Sequence, residues 1–325
     1  MRNTLTPEDF LVEAFAGLAR LVVSPWSRTF WAFLAVSLLL AWWVRRRERR
    51  AGVALPPHRD VFSGATWGSR SAMNDYWLVL ANAAIFAVPI AALVPHGETL
   101  ARAIADALRS QFPAFASAPA AWVPAALALV LFVADDFVRW AVHRAEHRVP
   151  VLWELHKVHH SAEVLNFITA ERHHPLSLAV FQGAAVSSAA AINGVFLWAF
   201  GDGITVATLL GANVFWVLGN CLAGALRHSP AWLSFGPRIE RWLISPAQHQ
   251  IHHSIDPRHH GANFGGTLAI WDRLAGTLYV TTSDREPIDF GLGEETARYR
   301  TVPALLWRPL VAAFGTLRFS RAASR

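Results

Sequence analysis

The sequence predicts an all-α fold: an integral-membrane helical bundle of about four to five spans, with a histidine-rich helical cap on its cytoplasmic side. Three observations carry that prediction. Hydrophobic residues make up 54% of the 325 residues and charged residues only 16%, and mean hydropathy is +0.30. An average soluble domain carries about 25% charged residues, so this protein lacks the charge to cover an aqueous surface. The apolar residues gather into runs long enough to cross a hydrocarbon core of about 30 Å. Twelve of the fifteen histidines fall within 143–174 and 249–260, where an even spread would put about two. The composition excludes disorder, a coiled coil and an ordinary cytosolic enzyme.

The elements follow in order. The first residues, MRNTLTPEDF, carry acids and no basic n-region, so no signal peptide is expected. Residues 8–23 put Phe10, Leu11, Ala14, Phe15, Leu18 and Val22 on one helical face opposite Asp9, Glu13 and Arg20, a pattern that suits a helix lying on a membrane. The first span covers 29–44. It ends in Arg45, Arg46, Arg47, Arg49 and Arg50, a juxtamembrane anchor facing anionic lipid that places this end in the cytoplasm. A nucleic-acid binder would spread such a stripe over a polar fold, so no nucleic-acid partner is expected. Residues 51–75 are a turn-rich connector. Spans at 77–94 and 119–142 then cross outward and back. The stretch 178–226, broken by Gly201-Asp202-Gly203, reads as a hairpin of two spans, which leaves everything from Arg227 onward cytoplasmic. The tail from Pro303 to Leu317 is again amphipathic, with Trp307 and Arg308 as interface anchors. The sequence thus divides into an N-terminal region (1–75), a catalytic region (76–300) and an interfacial tail (301–325).

The spacing of the histidines has a chemical meaning. HRAEH puts His143 and His147 at i, i+4, one face of a helix continuing the third span. HKVHH places His156, His159 and His160 at i, i+3, i+4, and HQIHH repeats this with His249, His252 and His253. Ser245-Pro246 is a helix start, with Ser as N-cap and Pro in the first turn. Eight imidazoles exceed what one metal takes, so the pattern predicts a dinuclear all-nitrogen site. Neutral imidazole suits iron, zinc, copper or nickel. His228, at the inner end of the hairpin, is placed to complete it. His173, His174, His259 and His260 are open between ligand, outer donor and surface residue, whereas His58 and His96 read as ordinary solvated side chains. The single cysteine, Cys221, excludes a disulfide or a Cys-type metal site.

Read together, HRAEH, HKVHH and HQIHH resemble the HxxxH, HxxHH, HxxHH signature of the fatty acid hydroxylase / sterol desaturase superfamily of membrane di-iron enzymes. The stretches DFVRWAVHRAEH (136–147), HHSAEVLNFITAERHHP (159–175) and NFGGTLAIWDRLAGTLY (263–279) are similar to that family as well, and the resemblance covers about 120–282. It implies two iron ions, molecular oxygen as co-substrate, and hydroxylation or desaturation of a C–H bond of a bilayer lipid. With no haem- or flavin-binding segment in view, it also implies a separate electron-donor protein. Two positions depart from the family pattern. Pro175 is followed by Leu176-Ser177 where an acid is common, and His228 by Ser229 where Asn is usual.

Two other readings use fewer of the residues. A zinc-binding or transport protein would carry ionisable groups within its spans, which here are confined to Asp135, Asp136 and Arg139. A membrane zinc protease would use HRAEH as H-x-x-E-H, with Glu146 as general base, and would leave both HxxHH groups unexplained. The arginine-dominated basic set, with Lys157 the one lysine, points to a GC-rich bacterial genome and hence the inner membrane.

Overall fold

The computed structural model describes residues 7–85, 96–113, 120–282 and 284–323, the side chains of 7–10 and 317–323 excepted. It is mostly helical. In sequence order the helices are α1 (Pro7–Val23), α2 (Trp31–Arg50), α3 (Gly64–Trp67), α4 (Arg70–Ile85), α5 (Gly97–Arg109), α6 (Val123–Arg148), α7 (Pro150–His160), α8 (Pro175–Phe200), α9 (Val214–Leu222), α10 (Pro246–His252), α11 (Ile270–Ala275) and α12 (Val302–Ala323). Single 3₁₀ turns at Phe167–Glu171 and Gly224–His228 matter for the site.

Proline sets the two turns that position the histidines. α6 stops at Val149, whose extended φ of −96° and ψ of 114° is what a following proline imposes, and Pro150 opens α7 at once. The abrupt corner brings His156 and His160 against His143 and His147. His174 caps α8 by accepting the N–H of Leu176 at its Nδ1, with Pro175 in the first turn. The predicted start of α10 is present as a reciprocal capping box: the Ser245 hydroxyl accepts from the Gln248 N–H and the Gln248 side chain accepts from the Ser245 N–H.

Several expectations change on contact with the structure. Among the described residues only α8 is long and apolar enough to cross a membrane by itself. The expected second span falls partly on α4, and residues 86–94 lie outside the described residues, as does 119 at the edge of the third. The return limb of the expected hairpin is not one long helix. After Gly201 the backbone makes a small β-hairpin, β1 (Thr208–Leu209) against β2 (Ala212–Asn213), then the nine-residue α9 and the 3₁₀ turn. At about 1.5 Å per residue α9 covers less than half of a hydrocarbon core. α5, expected to be part of a loop between spans, is a helix lying along α8. The two approach so closely that a Cβ at Gly194 would sit 2.8 Å from the Ala101 carbonyl.

The basic run is only partly an outward anchor. Arg45 turns inward to Asp60 at 2.8 Å, and Glu48 within the run pairs with Arg285 at 2.7 Å. Arg46 and Arg47 fold back over Trp42 and Trp43, where a guanidinium is attracted by the ring faces. The inner face of α2, through Phe33, Ser37, Ala41 and Val44, is buried and carries Ala225 and Leu226 beside His228. On the other side, Leu305 of α12 is buried with Leu78, Val158 and Tyr299, so the C-terminal helix packs directly behind α7. The outward surfaces are apolar: Leu39, Trp42, Trp77, Trp122, Trp307 and Phe314 all stand about half exposed or more.

Candidate metal centre

The nine histidines expected as ligands converge in two groups. His143, His147, His156, His160 and His252 form one, and His159, His228, His249 and His253 the other; in each, one nitrogen per ring lies within 4.8 Å of all the rest. Opposite nitrogens on one ion at about 2.1 Å would be about 4.2 Å apart, so each group needs only slight contraction to share an ion. The HxxHH motifs are split between the groups. In α7 the i, i+4 pair His156 and His160 serves the first while His159 serves the second. In α10 and its C-cap, His249 and His253 serve the second while His252 serves the first. The rings interleave, with His160 and His253 centroids 4.5 Å apart.

The hydrogen bonding fits metal ligands. In the first group every Nε2 is buried without a partner, while two of the opposite nitrogens are hydrogen-bonded and a third lies against a carboxylate. His143 donates from Nδ1 to the Phe264 carbonyl and His252 to the Ala262 carbonyl, both at 2.8 Å. His156 Nδ1 lies 2.7 Å from Glu146 Oε2. A carbonyl can only accept, so Nδ1 carries the proton and Nε2 presents a lone pair. In the second group His159 donates from Nδ1 to the Arg172 carbonyl at 3.2 Å. The Nε2 atoms of His159, His228, His249 and His253 run in succession 3.1, 2.9 and 3.2 Å apart. Lone pairs crowded so closely repel unless a cation lies among them. Burial, and after it the neighbouring imidazoles, hold these rings below the usual histidine range, His252 at about 4 through burial. That keeps them neutral, the form that binds metal.

Three sets of carboxylates hold the ligand-bearing elements in place. Glu146 is buried between His156 and the Ser177 hydroxyl, which donates to its other oxygen at 2.6 Å. Ser177 thus occupies the place where an acid was expected and serves the site by binding one. Asp136 accepts the N–H groups of Thr267 and Leu268 and the Trp271 indole. Asp272 accepts the N–H groups of Phe264 and Gly265 and the Trp140 indole. Together they latch segment 263–277 onto α6, which sets the Phe264 carbonyl under His143. Gly265 and Gly266 permit it: a Cβ on either would lie about 3 Å from the Asp272 or Asp136 oxygens. The third is a buried ion pair. Arg172, 1% exposed, reaches Asp75 of α4 at 2.7 Å, and Asn166 and Thr169 donate to the same carboxylate. Its remaining donors go to the Val158 and Ser71 carbonyls and the Ser161 hydroxyl. The sequence singled out none of these roles, since each joins residues far apart along the backbone.

The remaining histidines separate. His174 is a helix cap whose Nε2 reaches the Leu306 carbonyl at 3.0 Å. His173 stacks face to face on His159 at 4.6 Å and belongs to neither donor group. His259 is buried 3.6 Å from Glu286, and His260, His58 and His96 are exposed. Glu146 also lies outside both donor groups, buried with Oε1 accepting from Ser177 and Oε2 against His156 Nδ1, so it is not placed to act as the general base of a metalloprotease. Glu146→Ala is expected to leave the fold intact and to weaken metal retention about 10- to 100-fold, the usual effect of removing a partner that orients a ligand. Metal per protein after dialysis against a graded chelator series checks this. Retention equal to wild type would assign Glu146 no part in holding His156.

Two cavities flank the centre. One of about 290 Å³ is reached by His143, His156, His159, His228 and His249. The other, about 550 Å³, is reached by His147, His160, His252 and His253, with Arg148 and Lys157 at its wall.

Such a centre, nine nitrogen donors in a helical frame with access from two sides, is built as a histidine-rich metal-binding site would be. The fatty acid hydroxylase family model matches residues 128–277, the segment that carries all nine donors, and this match fits the fatty acid hydroxylase / sterol desaturase superfamily that the motifs resemble. Among curated proteins it is similar to alkylglycerol monooxygenase of Xenopus tropicalis, 29% identical over 161 residues, 50% of this chain and 32% of that protein. The human alkylglycerol monooxygenase is 26% identical over the same shares. Ornithine lipid hydroxylase OlsE of Rhizobium tropici is 29% identical over 162 residues, 50% of this chain and 44% of that one. The matches thus span less than half the length of these relatives. No solved structure matches.

Proposed function

We propose that the protein is an integral-membrane lipid hydroxylase whose nine histidines hold two iron ions, His143, His147, His156, His160 and His252 on one and His159, His228, His249 and His253 on the other. Molecular oxygen is the co-substrate and a separate protein donates electrons. The observation that carries this reading is the pair of convergent donor groups, with their lone pairs turned inward and a cavity alongside. Iron, when bound, supplies the activation of oxygen needed to attack an unactivated C–H bond. The relatives named above are a monooxygenase and a hydroxylase, which favours hydroxylation over desaturation.

The protein's own residues do the rest. The Phe264, Ala262 and Arg172 carbonyls fix the tautomers of His143, His252 and His159, so that three Nε2 lone pairs face inward before metal arrives. Leu178, Phe181, Trp216 and Phe264 wall the smaller cavity and exclude bulk water from the reacting carbon. The apolar exterior and α8 support insertion in a membrane, taken to be a bacterial inner membrane, with the histidines on the cytoplasmic side as the arginine run at the end of α2 suggests.

Metal content is the deciding measurement, on protein expressed with added iron and purified in mild detergent without chelator, followed by incubation with membrane lipid extract under oxygen-18. The expected result is about two irons per protein and lipid products carrying the label. Stoichiometric zinc that ferrous iron does not displace, with no labelled lipid, would favour the zinc-binding reading. A folded preparation that binds no metal would overturn both.

A further inference from the structure

The 290 Å³ cavity beside the imidazoles is not lined by apolar side chains alone. Three guanidinium groups, Arg28, Arg139 and Arg227, line it against one carboxylate, Glu171, among the described residues that form its wall, apart from the exposed Arg20 at its edge. Arg139 is accounted for: it pairs with Asp135 at 2.7 Å and lies over the Trp216 ring. The other two are not. Arg227 is 4% exposed, its Nε has no partner, and its one hydrogen bond is a long 3.5 Å contact from Nη2 to the Thr267 hydroxyl. Arg28, partly buried on the loop between α1 and α2, has no carboxylate within 4 Å among the described residues, and the Glu171 carboxylate of the same cavity attracts it only from farther away. Charge taken out of water without a partner is costly, so an unpaired buried guanidinium facing a cavity implies that an anion completes it.

We infer that the substrate is a lipid with an anionic oxygen group on its head, a carboxylate or a phosphate, bound between Arg28 and Arg227, and that the oxidised C–H bond lies within a few bonds of that head. The inference deepens the hydroxylase reading and rests on it. At about 30 Å³ per water-sized group, the cavity holds roughly ten such groups, enough for a head group and its first carbons but not for a long tail. A second cavity of about 330 Å³ adjoins it through Arg20, Leu21, Glu171, Leu178 and Gln182, and its wall is of mixed polarity. The imidazoles meet the head group in the first cavity. Guanidinium selects planar or tetrahedral oxyanions through paired N–H donors, whereas a neutral diol or ester leaves Arg28 and Arg227 without a close ion pair.

The test is lipid binding by the full-length protein in detergent, metal-free and iron-loaded, read by the fluorescence of Trp26 and Trp216, which line the cavity. The probes are dioctanoyl phosphatidic acid, N-hexadecanoyl glycine and the neutral dioctanoylglycerol. Binding of one or both anionic probes at least tenfold tighter than the neutral one is expected, and the tighter of the two names the oxyanion. Arg28→Gln should weaken the anionic probes about tenfold and leave the neutral probe unchanged, while Arg28→Lys should retain most of the preference. Arg227→Gln gives a second reading if the first variant folds poorly. Equal affinity for neutral and anionic probes, or no effect of either glutamine, would overturn the inference. Anionic binding without labelled product after iron loading would support the head-group site and count against the hydroxylase reading. Labelled product from neutral lipid alone would do the reverse.

Discussion

His252→Ala is expected to abolish turnover and strip metal from the protein while leaving it folded and membrane-inserted. The imidazole is one of five donors in its group, its Nδ1 is held by the Ala262 carbonyl and its Nε2 is buried without any other partner. Removing it leaves the ring's neighbours His143, His147 and His160 facing a gap that water enters without replacing the nitrogen. His159→Ala is expected to do the same to the other group, because His159 is anchored by the Arg172 carbonyl and contacts His228. Iron per protein and oxygen-18 incorporation, measured side by side with circular dichroism, check both. Near wild-type activity in either variant would remove that residue from the ligand set. A protease built on HRAEH would tolerate His252→Ala, so the same variant separates the two chemistries.

The second large effect lies away from the centre. Asp75→Ala is expected to destabilise the fold by about 3–5 kcal/mol, the range for breaking a buried ion pair by removing one partner. Arg172 would remain 1% exposed with its charge uncompensated, and Asn166 and Thr169 would lose their acceptor. The damage should reach the metal centre, since the Arg172 carbonyl holds His159 and its side chain ties down the C-terminal end of α7 through Val158 and Ser161. Asp75→Asn is the informative companion: it keeps the shape but not the charge, and should fall between wild type and alanine. Urea unfolding in detergent, alongside iron retention, measures both consequences. A loss below about 1 kcal/mol would mean that water reaches this pair in solution.

The histidines were legible in the sequence as a set because their spacing is local. An i, i+4 pair is on one helix face whatever the helix packs against, and Ser245-Pro246 fixes the start of α10 through bonds made within four residues. The same locality made the resemblance of segments 136–147, 159–175 and 263–279 specific. The division of labour within HKVHH and HQIHH was not legible. One turn of helix presents all the imidazoles of an HxxHH motif to roughly the same side, and the offset of α7 against α10 decides which ion each would join. The expected two-span hairpin failed for a related reason: an apolar run of 49 residues (178–226) has the hydropathy of two spans, but hydropathy does not say where the backbone breaks into β1, β2 and α9.

What the sequence determined by itself is the apolar, helical character of the protein and eight of the nine convergent histidines, because composition and short-range periodicity encode them directly; the family came from the resemblance of its motifs. Tertiary structure alone decided the rest. It paired Asp75 with Arg172 across 97 residues, latched segment 263–277 onto α6 through Asp136 and Asp272, turned Glu146 to His156 and Ser177, and left Arg28 and Arg227 facing one cavity without a close ion pair. Charges and hydrogen-bond donors in a low-dielectric interior are set by what lies opposite them, and that neighbour is chosen by the fold.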